Sequence, residues 1–168
     1  MPLFDGSVMI VKQVEIYTDG ACTGNPGKGG YGAVLIYNGV EKEISAGYRM
    51  TTNNRMELLA AIKALRMLKE RCRVFLYSDS KYLTDAINKK WLDGWIKNNW
   101  KKSDKKPVLN VDLWKALCVE TEKHEIEFIW VKGHEGNKYN ERCDTLAVEA
   151  YTNAPEKTDT VYEKNQNS

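Results

Sequence analysis

The chain has 168 residues, 42% hydrophobic and 29% charged, which suits one soluble globular domain. No stretch approaches the roughly 20 apolar residues of a membrane span, and residues 1–13 lack the basic-then-apolar order of a secretory signal, so neither is expected. The net charge of +2 conceals a segment, Asn88 to Lys106, where seven lysines accompany two aspartates and the remainder sums to −3; so concentrated a basic patch is the footprint of a phosphate-backbone binder.

Val14 to Asp19 alternates and is β-prone, predicting a strand that ends at Gly20. Gly24-Asn-Pro-Gly27 and Gly29-Gly30 predict a tight loop. Tyr31 to Tyr37 and Glu43 to Arg49 then flank Asn38-Gly39, a hairpin signal. Asn54 followed by Glu57 has the form of a capping box, and Leu58, Ile62, Leu65 and Leu68 continue it as a helix to about Glu70. Val74 to Ser78 reads as a fourth strand running into Asp79, with helices over Lys81 to Ile87 and Val111 to Thr121. Ile126 to Val131 makes a fifth strand, Gly133-His-Glu-Gly136 breaks it, and Asn140 to Ala150 is the last helix. One domain over residues 1–152 is expected, followed by a polar, loosely ordered tail over 153–168. Cys22, Cys72, Cys118 and Cys143 form no CxxC pair, so reduced thiols of a cytoplasmic protein are expected.

Short hairpins first and crossovers later imply a mixed sheet. If the first strand runs up, the third, fourth and fifth elements place Asp19 and Asp79 at the carboxyl ends of two upward strands. Glu57 then lies in the first turns of a helix starting at that end, His134 follows the fifth strand there, and Asp144 lies early in the final helix. Open α/β sheets bind ligands at this end.

Two aspartates on neighbouring strands, about 4.8 Å apart, repel unless a cation neutralises them or one is protonated. Adding Glu57 and Asp144 gives a hard oxygen set suited to Mg²⁺, with Mn²⁺ as a substitute, rather than to zinc. Such a set can hold two ions roughly 4 Å apart for phosphodiester hydrolysis. Singly, each residue has a plainer reading: Asp19 and Asp79 as turn or cap residues, Glu57 as part of the capping box, Asp144 as a helix-dipole acid, His134 as a solvated loop residue. Their convergence on one sheet edge favours a site.

Trp91, Trp95 and Trp100 are interleaved with the lysines of the basic segment. On its own such a stripe suits tryptophans as core beneath a solvated lysine face; the reading adopted is a compromise, in which the tryptophans pack at the root while the lysines, Lys97, Lys101 and Lys102 among them, track phosphates.

Taken together, Thr18-Asp19-Gly20-Ala21-Cys22, Gly24-Asn25-Pro26-Gly27, Thr51-Thr52-Asn53-Asn54-Arg55-Met56-Glu57, Asp79-Ser80, Trp130-Val131-Lys132-Gly133-His134 and Asn140-Glu-Arg-Cys-Asp144 resemble bacterial ribonuclease H of type 1, in order from about Lys12 to Ala150. The resemblance implies an α/β, ribonuclease H-like fold, a five-stranded mixed sheet with helices on both faces. It implies cleavage of the RNA strand of RNA–DNA hybrids to 5′-phosphate and 3′-hydroxyl ends. It implies metal-binding catalytic residues Asp19, Glu57, Asp79 and Asp144, with His134 assisting proton transfer or product release. By the same resemblance Cys22, Asn25, Asn53 and Asn54 contact the nucleic acid near the active site, where ribose 2′-hydroxyls distinguish RNA from DNA. Trp91, Trp95, Thr52 and Asn110 would hold the DNA strand, and residues 88–107 would form a basic handle gripping the hybrid. Two departures stand out: one extra residue near Lys89-Lys90, and Met50 where family members often carry a phosphate-binding arginine. Residues 1–12 are too short for the family's N-terminal hybrid-binding module. The expected protein is a monomer with a hybrid substrate and no membrane partner. A DNA nuclease or strand-transfer relative, and a non-catalytic hybrid-binding module, are the competing readings; the asparagines and handle oppose the first, the acidic cluster the second.

Overall fold

The computed structural model describes residues 11–133, 136–153 and 155–166. Strands β1 (Lys12–Cys22), β2 (Gly27–Tyr37) and β3 (Val40–Thr51) are followed by α1 (Asn53–Leu65), β4 (Cys72–Ser78), α2 (Lys81–Asn88), α3 (Trp91–Lys97), α4 (Val111–Thr121), β5 (Glu125–Trp130), α5 (Lys138–Asn153) and α6 (Thr160–Gln166). The sheet has the order β3-β2-β1-β4-β5; β1, β4 and β5 are parallel and β2 antiparallel to its neighbours. This is the mixed sheet expected from the sequence.

Alternation along the strands explains the two layers. Val14, Ile16, Val74 and Leu76 point to one face, where they meet α1 and α4 through Leu58, Ile62, Leu65, Trp114 and Leu117. Leu58, Ile62 and Leu65 are fully buried at helical spacing, and truncating any of them to alanine should cost about 2–5 kcal/mol. On the opposite face α5 lies across β1, β2 and β3, seated by Cys143 and Leu146 on Val34. This seat is a floor of glycines. A Cβ at Gly30 would stand 2.5 Å from the Ala147 carbonyl oxygen, one at Gly32 2.5 Å from that of Cys143, and one at Gly47 2.2 Å from that of Ala150.

Several boundaries move from the sequence expectation. β1 runs past Gly20 because Gly20, Ala21 and Cys22 pair with Tyr31, Gly30 and Gly29, so Gly27, Gly29 and Gly30 belong to β2 and the expected loop shrinks to residues 23–26. α1 stops at Leu65 rather than near Glu70; its end tightens into three-residue turns, Met67 N–H to Ala64 and Leu68 N–H to Leu65, that redirect the chain into β4. The segment expected as a loose polar tail is docked. Lys157 exchanges backbone hydrogen bonds with Gly47 (3.1 Å) and Arg49 (3.0 Å) along the free edge of β3, and α6 follows. The basic segment over residues 88–107 contains the short helix α3, entered through Lys90 in a left-handed turn at φ 63°.

Candidate active site

Thr18 of β1 pairs with Ser78 of β4, the last rung between them, so Asp19 and Asp79 leave adjacent strands side by side. Gly20 lets α1 close onto this point: a Cβ there would stand 2.5 Å from the Glu57 amide nitrogen. Glu57 is thereby carried to the two aspartates, and one ligand oxygen from each of Asp19, Glu57 and Asp79 lies within 4.8 Å of the others. Asp144 of α5 lines the same cleft, of about 460 Å³, outside that closest trio.

Neighbouring residues do the capping that the plainer readings gave to these acids. The Thr52 hydroxyl, not Asn54, caps α1 by accepting from the Arg55 amide at 3.2 Å. Ser80 caps α2 by accepting from the Leu83 amide at 3.2 Å. Glu57 and Asp79 are therefore free of helix-end duty. The Asp79 carbonyl accepts from Trp130 Nε1 at 3.1 Å, while Gly133 presents its bare α-carbon to the Asp79 carboxylate. Asp19 Oδ1 accepts from the Gly20 amide at 2.9 Å.

The cluster is electrostatically frustrated without a cation. Asp19 is pushed far above the ordinary carboxylate range by burial, then by the charges of Glu57, Asp79 and Asp144. Glu57 is raised by burial and by Asp79, against lowering hydrogen bonds from Asp19 and Gly20. Among the described residues Glu57 Oε2 is buried with no hydrogen-bond partner, an arrangement that costs free energy unless something positive meets the oxygen. The donors are all carboxylate oxygens, which suit a hard divalent cation. The residues present thus fit a metal site.

Around the cleft the other expected contacts separate into three groups. Cys22, Asn53 and Asn54 line it directly, and the Asn25 side chain accepts from the Asn53 amide at 3.1 Å, fixing the mouth of α1. Thr52 and Asn110 gather about Arg55, which donates to Asn110 Oδ1 at 3.2 Å. Trp91, Trp95, Lys101 and Lys102 share a second groove on the handle. Within it Trp91 is 47% exposed, whereas Trp95 is rooted in the core edge-on to Trp114, centroids 5.5 Å apart. Lys97 is exposed in the last turn of α3. His134 lies outside the described residues.

Sequence reasoning missed Tyr82, Asp112 and Asp159. Tyr82 lines the active-site cleft, and its hydroxyl accepts from Asn110 Nδ2 (3.0 Å) and Trp114 Nε1 (3.1 Å). Its place three residues after Asp79, in the first turn of a helix starting at the same edge, was the available signal. Asp112 and Asp159 both bind Arg55 at 2.7 Å, partners that no local pattern announces.

Comparison with known proteins agrees with this geometry. A family model described as RNase H matches residues 11–152. A ribonuclease H of Syntrophus aciditrophicus (strain SB) is 58% identical over 151 residues, covering 90% of this chain and 87% of that one. Among solved structures, LC9-RNase H1, a type 1 RNase H with the type 2 active-site motif, superposes with a TM-score of 0.78 at 32% identity, covering 87% of this chain and 75% of that one. LC11-RNase H1, solved in complex with an RNA/DNA hybrid, gives 0.64 at 26% identity, covering 83% and 96%. With the match running through both arms of the acidic cleft and nearly the whole sheet, the chain belongs to the RNase H family.

Proposed function

We propose that Asp19, Glu57, Asp79 and Asp144 hold two Mg²⁺ ions, replaceable by Mn²⁺, with which the chain hydrolyses the RNA strand of RNA–DNA hybrids. The observation that carries the reading is the convergence of Asp19, Glu57 and Asp79 within 4.8 Å, with a buried Glu57 oxygen that no described residue satisfies. Bound ions supply Lewis-acid activation of water and charge stabilisation at the leaving oxygen. Asp19 and Asp79 fix the separation of the two ligand arms through strand pairing, and Glu57 closes the set from α1. Water adds to phosphorus as the bond to the 3′-oxygen breaks, giving 5′-phosphate and 3′-hydroxyl ends, with His134 delivering or accepting the proton.

Cys22, Asn25, Asn53 and Asn54 stand at the cleft and read the RNA strand through its 2′-hydroxyls. Thr52, Asn110, Trp91 and Trp95 hold the DNA strand, and Lys97, Lys101 and Lys102 grip backbone phosphates. Four free cysteines support a reducing, cytoplasmic setting, and the chain acts as a monomer. No described helix is long and apolar enough to cross a membrane.

The test is a substrate panel of labelled hybrid, duplex DNA and duplex RNA, each with Mg²⁺, Mn²⁺ or chelator. Internal cleavage of RNA in the hybrid alone, dependent on metal, is the expected result. Cleavage of duplex DNA would move the chain to the strand-transfer reading, and binding without cleavage would make it a hybrid-binding module.

A further inference from the structure

We propose that Asp159, acting through Arg55, is a positioning residue for the DNA-strand contact made by Asn110 and Thr52. The inference rests on the reading of those two residues as DNA contacts. It adds a function to the C-terminal segment.

The Arg55 guanidinium is 4% exposed, and each of its five N–H groups is engaged. Nε donates to Asp159 Oδ2 at 2.7 Å and Nη2 to Asp159 Oδ1 at 3.0 Å. Nη2 and Nη1 form a second fork with Asp112, at 2.7 and 2.9 Å. The last bond, from Nη1 at 3.2 Å, goes to Asn110 Oδ1. Burial opposes the charge on Arg55, but the hydrogen bonds to Asp112 and Asp159 outweigh it and hold the group protonated.

Asn110 shows what this arrangement achieves. It sits at the N-cap of α4 with φ 61° and makes no side-chain cap bond, although asparagine is among the preferred residues for that duty. Its amide is committed elsewhere, Oδ1 to Arg55 and Nδ2 to the Tyr82 hydroxyl. Because the guanidinium can only donate, the amide has one favoured orientation, Oδ1 toward Arg55, with a second Nδ2 hydrogen left for a phosphate oxygen. Rotating the amide would set its NH₂ against the guanidinium.

Asp159 also reaches the other arm of the contact. Its Oδ2 accepts from the Thr51 hydroxyl at 2.7 Å, next to Thr52 at the mouth of α1. One buried carboxylate therefore ties the end of β3, the start of α1 and, through Arg55, the start of α4. It is delivered there by the segment that pairs along β3 through Lys157 and is clamped further out by Arg49 and Glu163 at 3.1 Å.

The experiment compares Asp159→Asn, Asn110→Ala, their double variant and Glu163→Gln in steady-state hydrolysis of hybrid. Asp159→Asn keeps the side chain's size and leaves Arg55 neutralised by Asp112, but it sets an NH₂ against the guanidinium and so loosens it; a thermal melt checks that the fold is retained, and Asp112→Asn provides a second way to loosen Arg55. The expected result is a KM about three- to tenfold higher for Asp159→Asn, with kcat changed less than about twofold, as for one misplaced ground-state hydrogen bond. The double variant should be no worse than Asn110→Ala alone. Glu163→Gln, which loosens the same segment without touching Arg55, should leave KM unchanged. An unaltered KM in Asp159→Asn beside a raised one in Asn110→Ala overturns the inference, as does additivity in the double variant or an equal rise in Glu163→Gln. An unaltered KM in Asn110→Ala overturns the DNA-contact reading itself.

Discussion

Gly133 lies against Asp79 so closely that a Cβ on its α-carbon would stand 2.7 Å from Asp79 Oδ2. That carboxylate belongs to the acidic trio, so the glycine leaves room for its orientation. Gly133→Ala should displace it, raise the Mg²⁺ concentration needed for half-maximal activity and lower kcat by about 10- to 100-fold, the scale of a misplaced reacting group. A Mg²⁺ titration of hydrolysis checks this; a variant with wild-type metal dependence would show that Asp79 tolerates the added methyl.

Asp19→Asn and Asp79→Asn should each abolish hydrolysis with the fold intact. They should also change how the metal-free protein responds to pH. Burial, then neighbouring charges, raise Asp19 and Glu57, so the folded state favours their protonated forms. That contribution is fully present below the unfolded carboxylate values near about 4 and is lost as pH rises through the higher folded values. In chelator, the wild-type Tm should fall from about pH 5 to about pH 8 more than the Tm of Asp19→Asn, and Mg²⁺ should restore it. Parallel pH profiles for the two proteins would contradict the repulsion.

His134→Ala should slow turnover without stopping it, by about 10²–10⁴-fold for one proton-transfer group. Single-turnover rates measured across pH separate this from slow product release. Unchanged turnover would leave His134 as a solvated loop residue.

Neutralising Lys97, Lys101 and Lys102 together should raise KM for hybrid more than it lowers kcat, because backbone contacts stabilise ground and transition states alike. All three are exposed. The salt dependence of binding should flatten by roughly 0.9 log units for each phosphate no longer neutralised, on the B-form scale. An identical slope would mean that the lysines only face solvent.

Met50→Arg should tighten hybrid binding and add about one counterion to its salt dependence. Met50 is 40% exposed, and the neighbouring arginines are already engaged, Arg49 with Glu163 and Arg55 with Asp112 and Asp159. Alternation along β3 agrees with this, since Arg49 and Thr51 both turn to the C-terminal segment. Filter binding across a salt series gives the slope, and equal affinity with an equal slope would mean that position 50 does not face a DNA phosphate.

The convergence of Asp19 and Asp79 was legible because strand direction follows from hairpins and crossovers, and Glu57 followed from the helix that comes next. What was misread has physical causes. Asn54 looked like the cap of α1 because its spacing to Glu57 matches a capping box, yet Thr52 caps the helix and leaves Glu57 to the cleft. Asp159 was invisible because one acid in a polar stretch carries no periodicity; its value comes from Arg55, 104 residues away in sequence. The tryptophans divided between the two readings, Trp95 packing on Trp114 while Trp91 stays half open, a division set by tertiary packing rather than by spacing.

The glycine floor beneath α5 acts as a gauge block. Gly32 pairs directly with Asp19 across β1 and β2, and the Cys143 carbonyl rests where the Gly32 side chain would be; Asp144 is the next residue. The reach from the fourth carboxylate to the other three is therefore limited by a missing methyl group, while attraction holds the helix down on it through Cys143 and Leu146 on Val34, the Cys143 thiol on the Tyr17 carbonyl and the Arg142–Glu43 pair. A single alanine at position 32 would work as a shim, lifting the helix and widening the mouth of the cleft while leaving all four carboxylates in the chain.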